Sequence, residues 1–448
     1  MIERDISDPN SRVEESRWGC TMERLSVSNF LSIKEVSIEI APITIVIGPQ
    51  ASGKSVLAKL IYFFRTILTE DVRQFIVQEL SFEKFKEAIQ EKFVNSFPVY
   101  GWLDIAFRIT YVNDDVNISL SHKHKSKTIV VDISDEFESL VSATATKYKS
   151  AIDKDHVHEQ ELNQGSPSAI KFQLSSAIYL ELRNSKPELF RQPFFIPASR
   201  SIYHVVKPNV FNLLSARADF DPIFVRFAAI YETAKKRYDD ARWKKQDGQN
   251  RFLSEKVREA RRSILCGDYL NEKDQDWIRD AVSERKTALA NASSGQQEAL
   301  PMLAVLSLYA FAVAPIAYFI EEPEAHLFPT TQKSIVSLIG LLHNNRRQNF
   351  FLTTHSPYIL TAFNILIASS DALARNEKRK RKIPEFIDES TAIPFRDISA
   401  YSLKGGTVAD ILDRSACLIG SSVIDEVSDE FEELFEKILL WRNGEELR

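Results

Sequence analysis

The chain has 448 residues, more than one ordinary hydrophobic core organises, and its 44% apolar and 27% charged residues suit a folded protein of two or three lobes rather than a disordered one. A formal net charge of −5 excludes a whole-molecule basic field, so any nucleic-acid contact needs a local patch. The three cysteines, Cys20, Cys266 and Cys417, lie far apart without metal-site spacing and suit a reducing compartment, so a cytoplasmic location is expected.

Residues 1–22 are charged and lack an apolar run, and read as a leader rather than a signal peptide. Residues 23–47 read as strands: RLSVSNFLSI and KEVSIEI up to Pro42, then ITIVI running straight into a glycine turn. A helix over 54–68 follows, then a charged amphipathic helix over 70–93. YGWLDIAFRITYVNDDVNISLSH alternates about an Asn113-Asp114-Asp115 turn, the pattern of a hairpin. Residues 133–190 are less legible, with polar loops such as HEQELNQGSPS between helical stretches, and QPFFIPASRS reads as a buried strand leaving the core. Residues 221–262 are helical and charged without sustained heptads. A strand pair precedes NASSGQQE.

Residues 300–320, LPMLAVLSLYAFAVAPIAYFI, carry no charge and are long enough to cross a bilayer. Pro315 divides them, however, and the short β-prone remainder ends at Glu321 and Glu322. The expectation is a buried helix followed by a buried strand, with no membrane partner. NFFLTTHSPYIL gives one more strand and helix. The C-terminal part holds the basic run RNEKRKRK (375–382) and an acidic helix with Phe431, Leu434, Phe435, Ile438 and Leu439 at helical spacing. The basic run reads either as an exposed loop or as a contact for nucleic acid or an acidic partner, and the stretch Lys235 to Lys245, interrupted by Asp239 and Asp240, as a solvated helix face rather than a nucleic-acid contact.

Chemistry concentrates in four places. Gly48, Pro49, Gln50, Ala51, Ser52, Gly53, Lys54 and Ser55 fit G-x-x-x-x-G-K-[ST]. Such a loop turns backbone N–H groups onto phosphate oxygens, its lysine reaches the β- and γ-phosphates, and its Ser hydroxyl meets Mg2+. IAYFIEEPEAHLFP supplies the acids such a loop needs: Glu321 toward Mg2+ and Glu322 as the base that polarises water. Glu321 stands where aspartate is commoner, which makes metal contact looser or water-mediated. In ASSGQQE, Ser294 is read as capping the next helix or meeting a phosphate. His355 ends an apolar strand, where it would contact the γ-phosphate.

Together these residues resemble the ABC-type ATPases of the SMC and OLD group. NFLSIKEVSIEIAPITIVIGPQASGKS, SSGQQE, IEEPEAHLFP and TTHSP are similar to the AAA_15/AAA_21-type ATPases of prokaryotes. The resemblance implies an α/β fold: an ABC-type P-loop ATPase head with a mixed sheet, antiparallel β hairpins and an inserted helical lobe. It implies a leader at 1–22, an N-terminal ATPase part at 23–200, a helical lobe at 201–290, signature, Walker B and switch histidine within 291–370, and a basic loop and helical assembly region at 371–448. It further implies ATP and Mg2+, and paired heads in a dimer or larger even-numbered oligomer. Ser294, Gly295 and Gln297 of one head would then act in trans on nucleotide at the P-loop of the other, with HLFP (326–329) at the contact. No Q-loop glutamine is evident. QPFFIPASRS enters the helical lobe at that point, so either Ser199 or Arg200 senses nucleotide instead or the segment is a buried turn.

OLD-type nucleases add a D-x-D-bearing domain after the switch histidine, and no D-x-D follows His355 here. The chain therefore looks like an ATPase that controls a separate effector protein, as in anti-phage defence systems of the PARIS and Septu types. The alternatives are an SMC-like ATPase that clamps DNA in repair, an OLD-like nuclease component, and a scaffold that binds ATP without hydrolysis. Glu322 argues against the last.

Overall fold

A computed structural model describes residues 23–420, less 79, 115, 127, 163–175, 178, 204–219, 239–250, 273–274, 313 and 376–384. The expected leader, nearly all of the basic run, residues 239–245 of the other basic stretch and the acidic C-terminal helix lie outside the described residues.

Strands β1 (Glu23–Phe30) and β2 (Ile33–Glu39) form a hairpin, and β3 (Ile43–Ile47) follows after Pro42. The expected helix after the glycine turn is α1 (Lys54–Thr66), which widens into a π-helical segment, Ile67–Asp71, before α2 (Val72–Gln78). The single amphipathic helix expected over 70–93 is therefore two, α2 and α3 (Phe82–Ser96), the latter capped by Ser81. The hairpin expected at Asn113 is β4 (Phe107–Asn113) and β5 (Val116–His122), extended by β6 (Ile129–Ile133) and followed by α4 (Asp135–Leu162). Next come β7 (Gln192–Ile196), α5 (Pro222–Tyr238) and α6 (Arg251–Leu265). The expected strand pair is a three-stranded sheet, β8 (Gly267–Glu272), β9 (Gln275–Asp280) and β10 (Lys286–Ala288).

The uncharged run resolves as expected into α7 (Ser294–Tyr309) and β11 (Ile316–Glu321), whose six residues are all buried. Then follow α8 (Pro329–Arg346), β12 (Asn349–Thr354) and α9 (Pro357–Arg375). Of the described helices, α9 alone is long and apolar enough to cross a membrane, and its buried residues include Ile359, Leu360, Phe363 and Leu366. Residues beyond 385 add β13 (Ile398–Lys404), β14 (Thr407–Asp410), β15 (Leu412–Asp413) and β16 (Leu418–Ile419).

Among the described residues the main sheet has eleven strands, in the order β6-β5-β4-β1-β2-β14-β13-β3-β12-β11-β7. From β13 to β7 neighbouring strands run parallel, and from β6 to β2 antiparallel, so the sheet is mixed. The C-terminal part is thus more than a loop and a helix: β13 lies beside β3 near the middle of the sheet, pairing Ile398 with Ile43 and Ser402 with Ile47.

Alternation along the parallel strands divides the apolar residues between two cores, one on each face. Ile43, Ile45, Ile47, Tyr318, Ile320, Phe350 and Leu352 join α5 to α9 on one side. Val46, Phe319, Phe351 and Phe195 join α1 to α4 on the other. A sheet covered on both faces leaves its loops at the carboxyl ends of the strands as the place for chemistry.

Candidate functional site

Three parallel strands deliver the site. β3 ends at the P-loop, β11 at Glu321 and β12 at Thr354, one step before His355.

The loop depends on its glycines. Gly53 has φ 106°, and a Cβ there would come 2.8 Å from Ser32 Oγ. A Cβ on Gly48 would sit 2.2 Å from the carbonyl oxygen of Leu403 in β13, far inside contact distance. Lys54, 5% exposed at the first position of α1, folds back over the loop and donates to the carbonyls of Gly48 (2.9 Å) and Pro49 (2.8 Å). Burial lowers its proton affinity, and the charges of Glu322 and Glu324 offset part of that loss. Ser52 Oγ is buried without a partner among the described residues, whereas Gln50, Ala51 and Ser55 are exposed.

His355 lies between the loop and the acids. Its Nδ1 is 3.4 Å from Lys54 Nζ, and its Nε2 is 3.4 Å from Glu322 Oε1. An ammonium only donates, so Nδ1 is the acceptor and the ring proton belongs on Nε2, facing Glu322. Three residues far apart in sequence therefore form one line, Lys54–His355–Glu322.

Glu321 and Glu322 diverge at the end of β11. Glu321 turns inward: Oε2 accepts from the Ala198 N–H at 3.1 Å, and Oε1 is buried with no partner among the described residues. Glu322 has φ 44°, a left-handed conformation costly for a residue with a Cβ, and its side chain is 40% exposed. That backbone is held by its N–H, which donates to Thr353 O (2.8 Å), and by its carbonyl, which accepts from Arg200 Nη2 (3.0 Å) and Ala325 N–H (3.0 Å). The orphaned carboxylate oxygen of Glu321 and the exposed hydroxyl of Ser55 are oxygen donors of the kind that suits Mg2+ or a metal-bound water.

Arg200 is fully buried. Nε donates to Glu298 O (2.9 Å), and Nη1 to Glu321 O (2.9 Å) and Pro197 O (3.2 Å). Its guanidinium thus lies within the core, joining β7, α7 and β11, and the buried-turn reading of QPFFIPASRS applies to it. Glu298, inside α7, accepts from Ser201 Oγ and has Oε2 3.5 Å from Arg200 Nε.

The signature differs in detail from expectation. Ser293, not Ser294, caps α7, through a capping box in which Ser293 Oγ accepts from Gln296 N–H and Gln296 Oε1 from Ser293 N–H. Ser294 is the first helical residue and is exposed. Gln297 turns onto its own chain, donating to the carbonyls of Ala290 (3.1 Å) and Ala292 (3.0 Å). Gly295 is buried against the loop after β11, where a Cβ would meet His326 O at 2.7 Å. In that same loop Phe328 is 74% exposed, a large apolar side chain at the rim of the site.

Glu324 is the residue that sequence reading missed. One oxygen of its carboxylate accepts from both Thr354 Oγ1 and the His355 N–H, each at 2.7 Å. The only sequence signal was its place two residues after Glu322 in a loop already singled out.

A family model described as "AAA domain, putative AbiEii toxin, Type IV TA system", AAA_21, matches residues 43–361. Solved structures similar to the chain include the Smc head domain with an extended coiled coil bound to the C-terminal domain of ScpA from Pyrococcus furiosus, 13% identical with TM-score 0.38, covering 92% of this chain and 100% of that one. The SMC head domain from Thermotoga maritima is 12% identical with TM-score 0.35, covering 87% and 98%. The recombination mediator protein RecF-ATPrS of the RecFOR pathway is 10% identical with TM-score 0.31, covering 87% and 98%. No curated relative matches the sequence.

Proposed function

This chain belongs to the AAA_21 family of AAA domains, and we propose that it binds ATP with Mg2+ at Gly48–Ser55 and hydrolyses it. The observation that carries the reading is the Lys54–His355–Glu322 line at the carboxyl ends of three parallel strands. The loop's N–H groups and Lys54 bind the phosphates, the ammonium exchanging its carbonyl partners for phosphate oxygens. Ser55 and the free oxygen of Glu321 hold Mg2+ or its waters. When bound, Mg2+ neutralises charge on the phosphate oxygens. Glu322 orients and deprotonates water, and His355, with its proton on Nε2, keeps the carboxylate and Lys54 in register.

The finer reading is that two heads close on each other. Exposed Ser294 and Phe328 belong to the closing face, and Gln297 exchanges its own-chain carbonyls for the partner's nucleotide. The motif-level resemblance supports a closed pair that governs a separate effector in anti-phage defence.

ATP titration and steady-state hydrolysis test the core of the reading. Glu322→Gln should keep ATP binding while the rate falls about 100-fold or more, the usual worth of a general base. Lys54→Met should lose at least about tenfold in affinity, roughly 1.4 kcal/mol. Wild-type hydrolysis in Glu322→Gln, or no ATP binding by the wild type, would sink it.

A further inference from the structure

After Glu321 the chain turns tightly, with Ala325 N–H bonded to Glu322 O at 3.0 Å, Leu327 N–H to Glu324 O at 2.9 Å, and His326 at φ 58°. This turn swings Glu324 back against the end of the neighbouring strand β12. Both of its hydrogen bonds converge there on Oε1, from a hydroxyl and from a main-chain N–H. The Thr354 hydroxyl, its proton committed to Glu324, accepts from Ser356 N–H at 2.9 Å. Ser356 Oγ in turn donates to Gln332 Oε1 of α8 at 2.7 Å. The segment 354–356 is thus held at one end by α8 and at the other by one carboxylate oxygen. The other oxygen of Glu324 is buried and has no hydrogen-bond partner among the described residues, whereas the Glu322 side chain is 40% exposed.

We propose that Glu324 is a positioning residue: it fixes the main chain of Thr354–Ser356 and thereby aims the His355 ring between Lys54 and Glu322. It is not the base, because its one engaged oxygen holds two donors and its other is buried. Without it, the His355 N–H and the Thr354 hydroxyl lose their acceptor together. Thr354 then turns, Ser356 N–H loses its partner, and the ring drifts from the line. The geometric claim stands on these bonds alone; its kinetic consequence rests on the ATPase reading above.

The test uses the full chain in four forms: Glu324→Ala, Glu324→Gln, His355→Ala and the double variant Glu324→Ala/His355→Ala. The geometric readout is hydrogen exchange by mass spectrometry of the peptide spanning 350–358. Exchange at His355 should accelerate by about tenfold or more in Glu324→Ala and be largely restored in Glu324→Gln, whose amide oxygen can still accept both bonds. The kinetic readout is ATP turnover. In Glu324→Ala, kcat should fall about 10- to 100-fold with ATP affinity within about threefold, the cost of a misplaced group rather than of lost binding. Because Glu324 acts through His355, the double variant should be no slower than His355→Ala. Unchanged exchange in Glu324→Ala, multiplied losses in the double variant, or a glutamine variant as impaired as alanine would each overturn the assignment. A wild type that turns over no ATP overturns the ATPase reading instead, and the exchange result alone then decides the geometric claim.

Discussion

Replacing Arg200 by methionine keeps an unbranched apolar stem and removes the guanidinium that joins α7 to the end of β11. Four carbonyls, those of Pro197, Glu298, Glu321 and Glu322, lose a charged donor at 2.9–3.2 Å. The Glu298 carboxylate, 6% exposed, loses its cation. A hydrogen bond to a charged group is worth about 1.5–3 kcal/mol, but four bonds leaving with one group are not additive. The better guide is the cost of stranding a buried partner charge, about 3–5 kcal/mol. Arg200→Met should therefore lower the free energy of unfolding by about that much, read as a lower midpoint in guanidinium chloride with unchanged slope. Adding Glu298→Gln removes the stranded charge, so the double variant should be destabilised by less than the sum, with a coupling of about 1–3 kcal/mol. A loss under about 1 kcal/mol in Arg200→Met, or strict additivity in the pair, would refute the clamp.

Two further outcomes follow from the loop. Gly48→Ala drives a methyl against the Leu403 carbonyl of a paired strand, which should cost about 1–3 kcal/mol in stability and at least about tenfold in ATP affinity, by chemical denaturation and nucleotide titration. Burial lowers the pKa of Lys54, which is charged below that value and neutral above it. ATP affinity should thus be full on the acid side of the lowered pKa and decline as pH rises through it, below the range of a free lysine; Lys54→Arg, which stays charged, should lack that alkaline limb.

What could be read in the sequence was local. The P-loop announces itself because its glycines, lysine and serine act within eight consecutive residues, and Glu321 and Glu322 because they end a wholly apolar strand. The run 300–320 could be split at Pro315 because a proline and a β-prone tail break helical continuity. The rest depends on partners remote in the chain. β13 was not evident because ISAYSLK is short and only its pairing with β3, more than 350 residues earlier, makes it central. The role of Arg200 is set by carbonyls about 100 residues away, and that of Glu324 by Thr354 and His355 on another strand. The cap of α7 moved by one residue because Ser293 and Ser294 are chemically equal candidates, and only Ser293 has the extended backbone that a cap needs. The inward turn of Gln297 carries no signal in sequence, since its acceptors are main-chain carbonyls.

The paired-head account is tested most directly by light scattering on Glu322→Gln during size exclusion, with and without ATP and Mg2+. The account predicts that ATP and Mg2+ convert the variant to a larger, even-numbered assembly, or tighten one already present, while Ser294→Arg prevents the change without loss of ATP binding. If ATP binds and the mass of Glu322→Gln stays the same at every concentration, the signature does not act in trans and the two-head mechanism is wrong.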